Sequence, residues 1–186
     1  MAQRVSTLKT CAKAMRDNAD QLGAVLHREL GRPLAGCIAE INSSAALLDI
    51  YTEEGLRLHG EMPIATGAGE KTLITREPVG VVVAITPFNF PITLLMFKVG
   101  AALTAGCTIV AKPSEDTPTS TLLLAEVFHK AGLPKGAFNV VTGSGIEVGE
   151  SLVNHPVPRK IAFTGGGVAG KAIAAAAGGT VKRVTL

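Results

Sequence analysis

Seven consecutive residues, Val79-Gly-Val-Val-Val-Ala-Ile85, are apolar or glycine, and the run stops at Thr86-Pro87. A strand that is apolar at every position has no face to give to solvent, so it must be covered on both sides. That requirement points to a parallel sheet between two helical layers. The loop that follows, Pro87-Phe-Asn-Phe-Pro91, sets one polar amide, Asn89, among stiff apolar neighbours. Open α/β sheets take their ligands beyond the carboxyl ends of the strands, which makes Asn89 a candidate fixed hydrogen-bond donor. Asn89 equally fits a cap on the next helix.

From Val79 onward apolar runs alternate with helical patterns. Strands are predicted at Val79–Ile85, Thr108–Ala111, Ala137–Val141, Lys160–Phe163 and Thr180–Leu186. Helices are predicted at Ile92–Thr104, Pro118–Ala131, Ile146–Val153 and Val168–Ala177. Such alternation specifies βαβ units: an α/β fold with an open, mostly parallel, Rossmann-like sheet and helices on both faces. Upstream, Val5, Leu8, Ala12, Met15, Ala19, Leu22, Leu26 and Leu30 recur at helical spacing and predict one long helix closed by Gly31. Leu34, Ile38, Ile41, Ala45 and Leu48 predict a second, ending near Gly60. Glu61 to Arg76 carries Pro63 and Gly67-Ala-Gly69 between short apolar runs and reads as a β-hairpin or extended arm. The expected organisation is therefore a helical part at 1–60, an arm at 61–77 and a Rossmann-like domain at 78–186. The last apolar run reaches Leu186, so the sheet is expected to end on an open edge prone to association.

Composition narrows the function classes. Eighteen basic and 15 acidic side chains leave a formal charge of +3, and the basic residues do not interleave with aromatics, which argues against nucleic acid. Ile92 to Ala111 is nearly all apolar, but Lys98 interrupts it and the remainder is too short for a bilayer span. Cys11, Cys37 and Cys107 form neither a CxxC pair nor a zinc spacing, which fits a reduced, cytoplasmic chain and no metal site. The N-terminus lacks a secretory apolar segment. His27, His59, His129 and His155 have no partner at ligand or triad spacing.

Two glycine-rich turns follow strands. Thr164-Gly165-Gly166-Gly167-Val168-Ala169-Gly170 satisfies G-x-G-x-x-G between a strand and a helix, where backbone amides can receive a phosphate. The acidic residue expected some 20 residues on is missing. The same segment nearly spells a P-loop, but Ala172 follows Lys171 where a magnesium-binding hydroxyl belongs. Thr142-Gly143-Ser144-Gly145-Ile146-Glu147-Val148-Gly149 is one residue too long for the dinucleotide fingerprint and reads equally as an ordinary turn. In Lys112-Pro113-Ser114-Glu115, Glu115 can accept from a diol or serve as a helix N-terminal acid beside a solvated lysine, the simpler reading. Lys98 is either snorkelling or placed in a site. Cys107, just before a strand, reads as core rather than nucleophile.

Five segments in register resemble the aldehyde dehydrogenase superfamily. They are Glu77-Pro-Val-Gly80, Thr86-Pro-Phe-Asn-Phe-Pro91, Lys112-Pro-Ser-Glu-Asp-Thr-Pro118, Ala131-Gly-Leu-Pro-Lys-Gly136 with Phe138-Asn-Val-Val141, and Ile161-Ala-Phe-Thr-Gly165. The resemblance implies roles. Asn89 matches the amide of an oxyanion hole, and Lys98 a lysine near the proton route to the general base. Ile85, Thr86, Pro87 and Phe88 match the strand end and loop beside the nicotinamide. Lys112, Ser114 and Glu115 match the segment that holds the adenosine ribose, and a carboxylate at Glu115 favours NAD over NADP. Gly145 and Gly149 match the turn packed on the adenine. Thr164, Gly165, Gly166, Val168 and Gly170 match the pyrophosphate-facing helix start, although many members carry Ser at Gly166. The 61–76 segment matches an oligomerisation arm, implying a homo-oligomer for the complete enzyme.

The same resemblance places the general-base glutamate directly after Val184-Thr-Leu186 and the catalytic cysteine further on, so neither is expected within these 186 residues. The implied activity is oxidation of an aldehyde to a carboxylic acid through a thiohemiacetal, with this chain as the NAD-binding portion and inactive by itself. A subunit of a split enzyme, a stand-alone NAD-binding module and a truncated reading frame are the alternatives.

Overall fold

The computed structural model describes residues 1–64, 67 and 69–186. Five strands form one all-parallel sheet in the order β3-β2-β1-β4-β5: β1 (Val81–Ile85), β2 (Thr108–Lys112), β3 (Phe138–Val140), β4 (Lys160–Phe163) and β5 (Arg183–Thr185). The helices between them are α4 (Pro91–Ala105), α5 (Pro118–Lys130), α6 (Glu150–Asn154) and α7 (Gly167–Gly178). The predicted α/β class and alternation are therefore observed.

The double burial read from β1 has a direct counterpart in packing. Val82 and Ala84 join the larger core with Ile92, Leu95 and Met96 of α4 and Leu124 and Phe128 of α5. Val83 and Ile85, on the other face, join a smaller core with Ile161, Phe163, Val153 and Ala177. Period-two alternation sends one set to each helical layer. Three helices, α1 (Ala2–Asp17), α2 (Ala19–Leu30) and α3 (Leu34–Leu56), pack outside α4 and α5 and bury Leu8, Met15, Leu22, Ile41 and Leu48 in the larger core.

The expected single helix over Val5–Leu30 is two helices. Asn18 breaks it with φ −110° and ψ 17°, and its side-chain amide donates back to Ala14 O at 2.8 Å. Asparagine competes with helical backbone bonding in this way, while the apolar spacing continues across the break and hides it. α3 stops at Leu56, just short of the expected end.

The strand bounds also shift. β1 starts at Val81 because Gly80 has φ +101°, a conformation outside the strand region. The last run yields only Arg183–Thr185, since Val181 has φ +53° and cannot extend the ladder. The expected helix Ile146–Val153 begins instead as a π-helical turn, Gly145–Gly149, which runs into α6. The expected hairpin or arm over 61–76 has one antiparallel bridge, Glu61 to Ile74, with hydrogen bonds of 3.0 and 2.8 Å; positions 65, 66 and 68 lie outside the described residues. Among the described residues no helix is long and apolar enough to cross a membrane.

The first turns of α4 and α5 are capped from outside. Each helix opens with proline, and neither N-cap, Phe90 or Thr117, supplies a capping side chain. Glu40 of α3 accepts the amides of Ile92 and Thr93, both at 3.0 Å. Glu29 of α2 accepts those of Thr119 at 2.5 Å and Ser120 at 3.1 Å. Two carboxylates from the outer helices thus satisfy helix ends that the local sequence leaves open, where the macrodipole also favours them.

Candidate functional site at the carboxyl ends of the strands

The chain runs from β1 outward through β2 to β3, then returns to the other side of β1 as β4. The connections therefore diverge between β1 and β4, and a crevice opens there. Register aligns Ile85 with both Lys112 and Phe163, so the loops after β1, β2 and β4 leave the sheet side by side. Thr86 N–H donates to Lys112 O at 3.2 Å and Thr164 N–H to Ile85 O at 3.0 Å.

After β1, Ile85 and Thr86 are buried, Pro87 is half-buried, and Phe88, Asn89 and Phe90 are exposed. Asn89 does not cap α4, whose cap residue is Phe90, so the capping alternative is overturned. Glu40 has taken that task, and Asn89 is exposed. The Thr86 hydroxyl is buried without a protein partner at the crevice floor.

Lys98 sits about two turns into α4, half-buried. Its Nζ donates to Leu94 O at 3.2 Å and to Thr164 Oγ1 at 2.7 Å, so it is held in the wall of a groove along α4 rather than snorkelling. Burial holds its pKa below the ordinary lysine value. α4 itself is locked on α3, where Tyr51 OH donates to Phe97 O at 3.1 Å.

The simpler reading of Lys112 and Glu115 fails on both residues. Lys112 is buried, with Nζ donating to Pro113 O at 2.9 Å and to Glu115 Oε2 at 3.4 Å. Glu115 precedes α5 rather than opening it. Its Oε1 accepts Gly145 N–H at 2.7 Å, which joins the loop after β2 to the turn after β3. Burial pushes the Glu115 carboxyl up, but the backbone N–H groups of Glu115 and Gly145 and the Lys112 ammonium outweigh it, and its net pKa lies below the ordinary value. Ser114 bonds locally to Asp116, with Oγ 3.4 Å from both Asp116 Oδ2 and Asp116 N.

The π-helical turn is anchored at both ends: Ser144 Oγ accepts Glu147 N–H at 3.0 Å and Ser144 O accepts Gly149 N–H at 3.3 Å. π-helical turns widen the backbone and concentrate at functional sites. Across from it, α7 opens with Gly166 as a cap residue that has no side chain. A Cβ added at Gly166 or Gly167 would meet nothing within 4 Å, and both residues are exposed at the uncapped start of α7. Val168 is exposed beside them, whereas Gly170 is buried, with the Phe163 ring nearest to its Cβ position at 3.4 Å.

Ile85, Glu115, Gly145, Gly149, Phe163 and Ile173 contribute to a cleft of about 650 Å³ between this turn and α7. Glu115 brings it a carboxylate suited to a diol, and the α7 residues Ala169, Ala172 and Ile173 in its wall continue a helix whose uncapped start is suited to a phosphate. These features fit a dinucleotide. They fit a magnesium-dependent P-loop poorly, because Ala172 lines the cleft where a hydroxyl is needed.

Some contributors carry no motif. Arg32, Glu40 and Glu29 reach the loops from the outer helices; the one sequence signal was a charged residue, Glu40, beside the apolar stripe Leu34, Ile38 and Ile41. Cys11, Cys37 and Cys107 are all buried free thiols, and burial pushes Cys11 up to about 11, so it is no ready nucleophile.

Comparison with known proteins finds relatives that match nearly the whole chain. The mitochondrial succinate-semialdehyde dehydrogenase of Arabidopsis thaliana is 41% identical over 184 residues, which cover 99% of this chain and 35% of that protein. The NADP(+) succinate-semialdehyde dehydrogenase GabD of Escherichia coli is 39% identical, with 99% and 38% covered. The crystal structure of succinate-semialdehyde dehydrogenase from Burkholderia pseudomallei superposes with a TM-score of 0.96 at 38% identity and covers 99% of this chain and 38% of that one. The chain spans little more than a third of the length of these relatives. The profile of the aldehyde dehydrogenase family matches residues 1–186, and the chain belongs to that family.

Proposed function

We propose that this chain is the NAD-binding portion of an enzyme that oxidises an aldehyde to a carboxylic acid. The observation that carries the reading is that the loops after β1, β2 and β4, which bear Asn89, Glu115 and the uncapped start of α7, leave the carboxyl ends of adjacent strands, with Lys98 bonded to Thr164 of the last loop. Glu115 accepts from the ribose hydroxyls, Lys112 holds that carboxylate, and the amides at Gly166 and Gly167 receive the pyrophosphate. Ile85 to Phe88 and Thr164 flank the nicotinamide, which when bound accepts the hydride leaving the substrate carbon. The Asn89 amide donates to the carbonyl oxygen and stabilises its negative charge as a thiol adds, a contribution of about 3 kcal/mol for one such donor. Lys98 stands beside the path by which the proton of the attacking water leaves.

The thiol and the general base come from residues that the resemblance places outside these 186. We therefore expect the purified chain to show no thiol-dependent aldehyde oxidation. In the organisation we propose, 1–60 supports the cofactor domain 78–186, and 61–77 serves as an assembly arm for a homo-oligomeric complete enzyme. The buried free thiols support a reducing, cytoplasmic setting. The names of the relatives make a short dicarboxylic semialdehyde the first substrate to try.

The test is calorimetry of the chain with NAD⁺ and NADP⁺, followed by a turnover assay. Binding of NAD⁺ in preference to NADP⁺, without turnover, is the expected result. Equal affinity for the two removes the Glu115 argument, and thiol-dependent turnover removes the assignment of the missing groups.

A second reading, a subunit completed by another polypeptide, draws support from a separate groove of about 640 Å³ lined by Val82, Phe97, Lys98, Ala101, Ala162 and Leu186. It is largely apolar, with Glu77, Lys98, Lys160 and Arg183 also in its lining, and suits a chain carrying the other two-thirds of a relative's length. Restored turnover on mixing with such a chain distinguishes this reading.

A further inference from the structure

We propose that Arg32 and Glu40 are positioning residues that hold the Asn89 loop in the orientation its amide needs. The inference rests on reading Asn89 as the donor to the substrate oxygen.

Glu40 is almost wholly enclosed, with 2% of its side chain exposed. Both oxygens are used: Oε1 accepts Ile92 N–H and Thr93 N–H, and Oε2 is paired with Arg32. Arg32 lies in the short link between α2 and α3, where its carbonyl accepts from His27 Nδ1 at 2.6 Å. Its guanidinium spans the gap to the loop: Nη1 lies 3.4 Å from Asn89 O, and the guanidinium carbon sits 4.8 Å from the centre of the Phe90 ring. A planar, delocalised cation can pair at one edge and stack on its face at once.

These contacts bracket Asn89. On its N-terminal side the chain is pinned where Thr86 N–H meets Lys112 O, and on its C-terminal side Arg32 holds Asn89 O and Phe90 while Glu40 holds Ile92 and Thr93. Only Pro87 and Phe88 lie between the pins. These contacts fix the backbone from which the Asn89 side chain projects and so limit where its amide can reach. Donors aimed in advance at a developing oxyanion need no reorganisation during the reaction.

The two residues differ in what their loss does. Without Arg32, Glu40 still has two amides and the positive end of α4, so the helix keeps its cap while Asn89 O and Phe90 lose their tether. Without Glu40 the cap goes as well. Arg32→Met, which keeps the aliphatic stem, is therefore the clean probe.

The experiment follows backbone order parameters of residues 86–93 and the side-chain amide signals of Asn89 by NMR on the 15N-labelled chain. In Arg32→Met, Ile92 and Thr93 are expected to keep their exchange protection, while order at Phe88 to Phe90 falls and the Asn89 amide signals move toward free-asparagine values. Arg32→Lys, which retains the pair with Glu40, restores part of that order. Unchanged order at Asn89 in a folded Arg32→Met chain overturns the proposal. With a complementing polypeptide that supplies the thiol, Arg32→Met is expected to lower kcat roughly tenfold to a hundredfold with the KM for NAD⁺ unchanged. A disordered Asn89 with undiminished kcat overturns the oxyanion reading instead and leaves the positioning role standing.

Discussion

Lys98 Nζ donates to Thr164 Oγ1 at 2.7 Å and so ties the middle of α4 to the loop after β4 across 66 residues of sequence. Both residues line the groove of about 640 Å³ that runs along α4 and β4. The bond also explains how a charged residue is tolerated on a helix whose other inward positions, Leu95, Met96 and Val99, are core.

Burial lowers the pKa of Lys98 in the folded chain, so its ammonium is held at a cost below that lowered pKa. As pH rises from the folded value toward the ordinary 10.5, the unfolded chain binds more protons than the folded one, and stability rises. Lys98→Met has no such dependence. The Tm of the wild-type chain should therefore gain on that of Lys98→Met between pH 7 and pH 10; a constant difference contradicts the burial argument.

Glu115→Ala removes the acceptor of Gly145 N–H and the partner of buried Lys112. Affinity for NAD⁺ should fall about tenfold, the value of one charge-assisted bond, while NADP⁺ loses less or gains. Calorimetry of both cofactors with wild type and variant measures the change in preference. Equal losses for the two would show that the carboxylate holds the turn but does not read the ribose. Because the Glu115 pKa lies below the ordinary 4.5, its pairing with Lys112 is present above that pH and is lost as pH falls through the folded value.

Glu40→Ala leaves Arg32 unpaired and α4 uncapped, and should cost about 3 kcal/mol or more in urea unfolding. Arg32→Ala, whose partner keeps two amide donors, should cost about 1 kcal/mol. The ordering is the prediction: equal destabilisation would mean that the helix cap adds nothing to the ion pair.

Neighbouring glycines after β4 should respond in opposite ways. A Cβ at Gly165 would approach the Phe163 ring to 2.5 Å, and Gly165→Ala should lose about 1–3 kcal/mol through overpacking. Gly166 has open space and the dihedrals of a helix cap, φ −71° and ψ 147°, so Gly166→Ser should hold or raise Tm by adding a capping hydroxyl. Thermal unfolding of the two variants side by side is sufficient; a Gly166→Ser chain that melts well below wild type refutes the open-space reading.

The legible part of the site lay where residue type acts through the local backbone. Thr86-Pro87 ends a strand, Gly165 to Gly167 open a helix without side chains, and Asn89 stands out because its neighbours are apolar. The weighing of Lys112 and Glu115 went astray because burial and the Gly145 partner depend on a turn 30 residues downstream. The break at Asn18 escaped because the apolar spacing runs through it without a fault.

By its pattern alone the chain determined a parallel sheet covered on both faces, since a strand apolar at every position has no other stable placement, and it carried the motifs of its family in order. Only the tertiary structure decided which side chains complete the helix ends and hold the loops: Glu40 on α4, Glu29 on α5, Arg32 over Phe90 and Glu115 on the Gly145 amide. Those contacts join residues 30 to 91 positions apart. Periodicity reports which face a residue lies on, but a pairing between distant polar groups exists only once packing has brought both elements together and excluded water from between them.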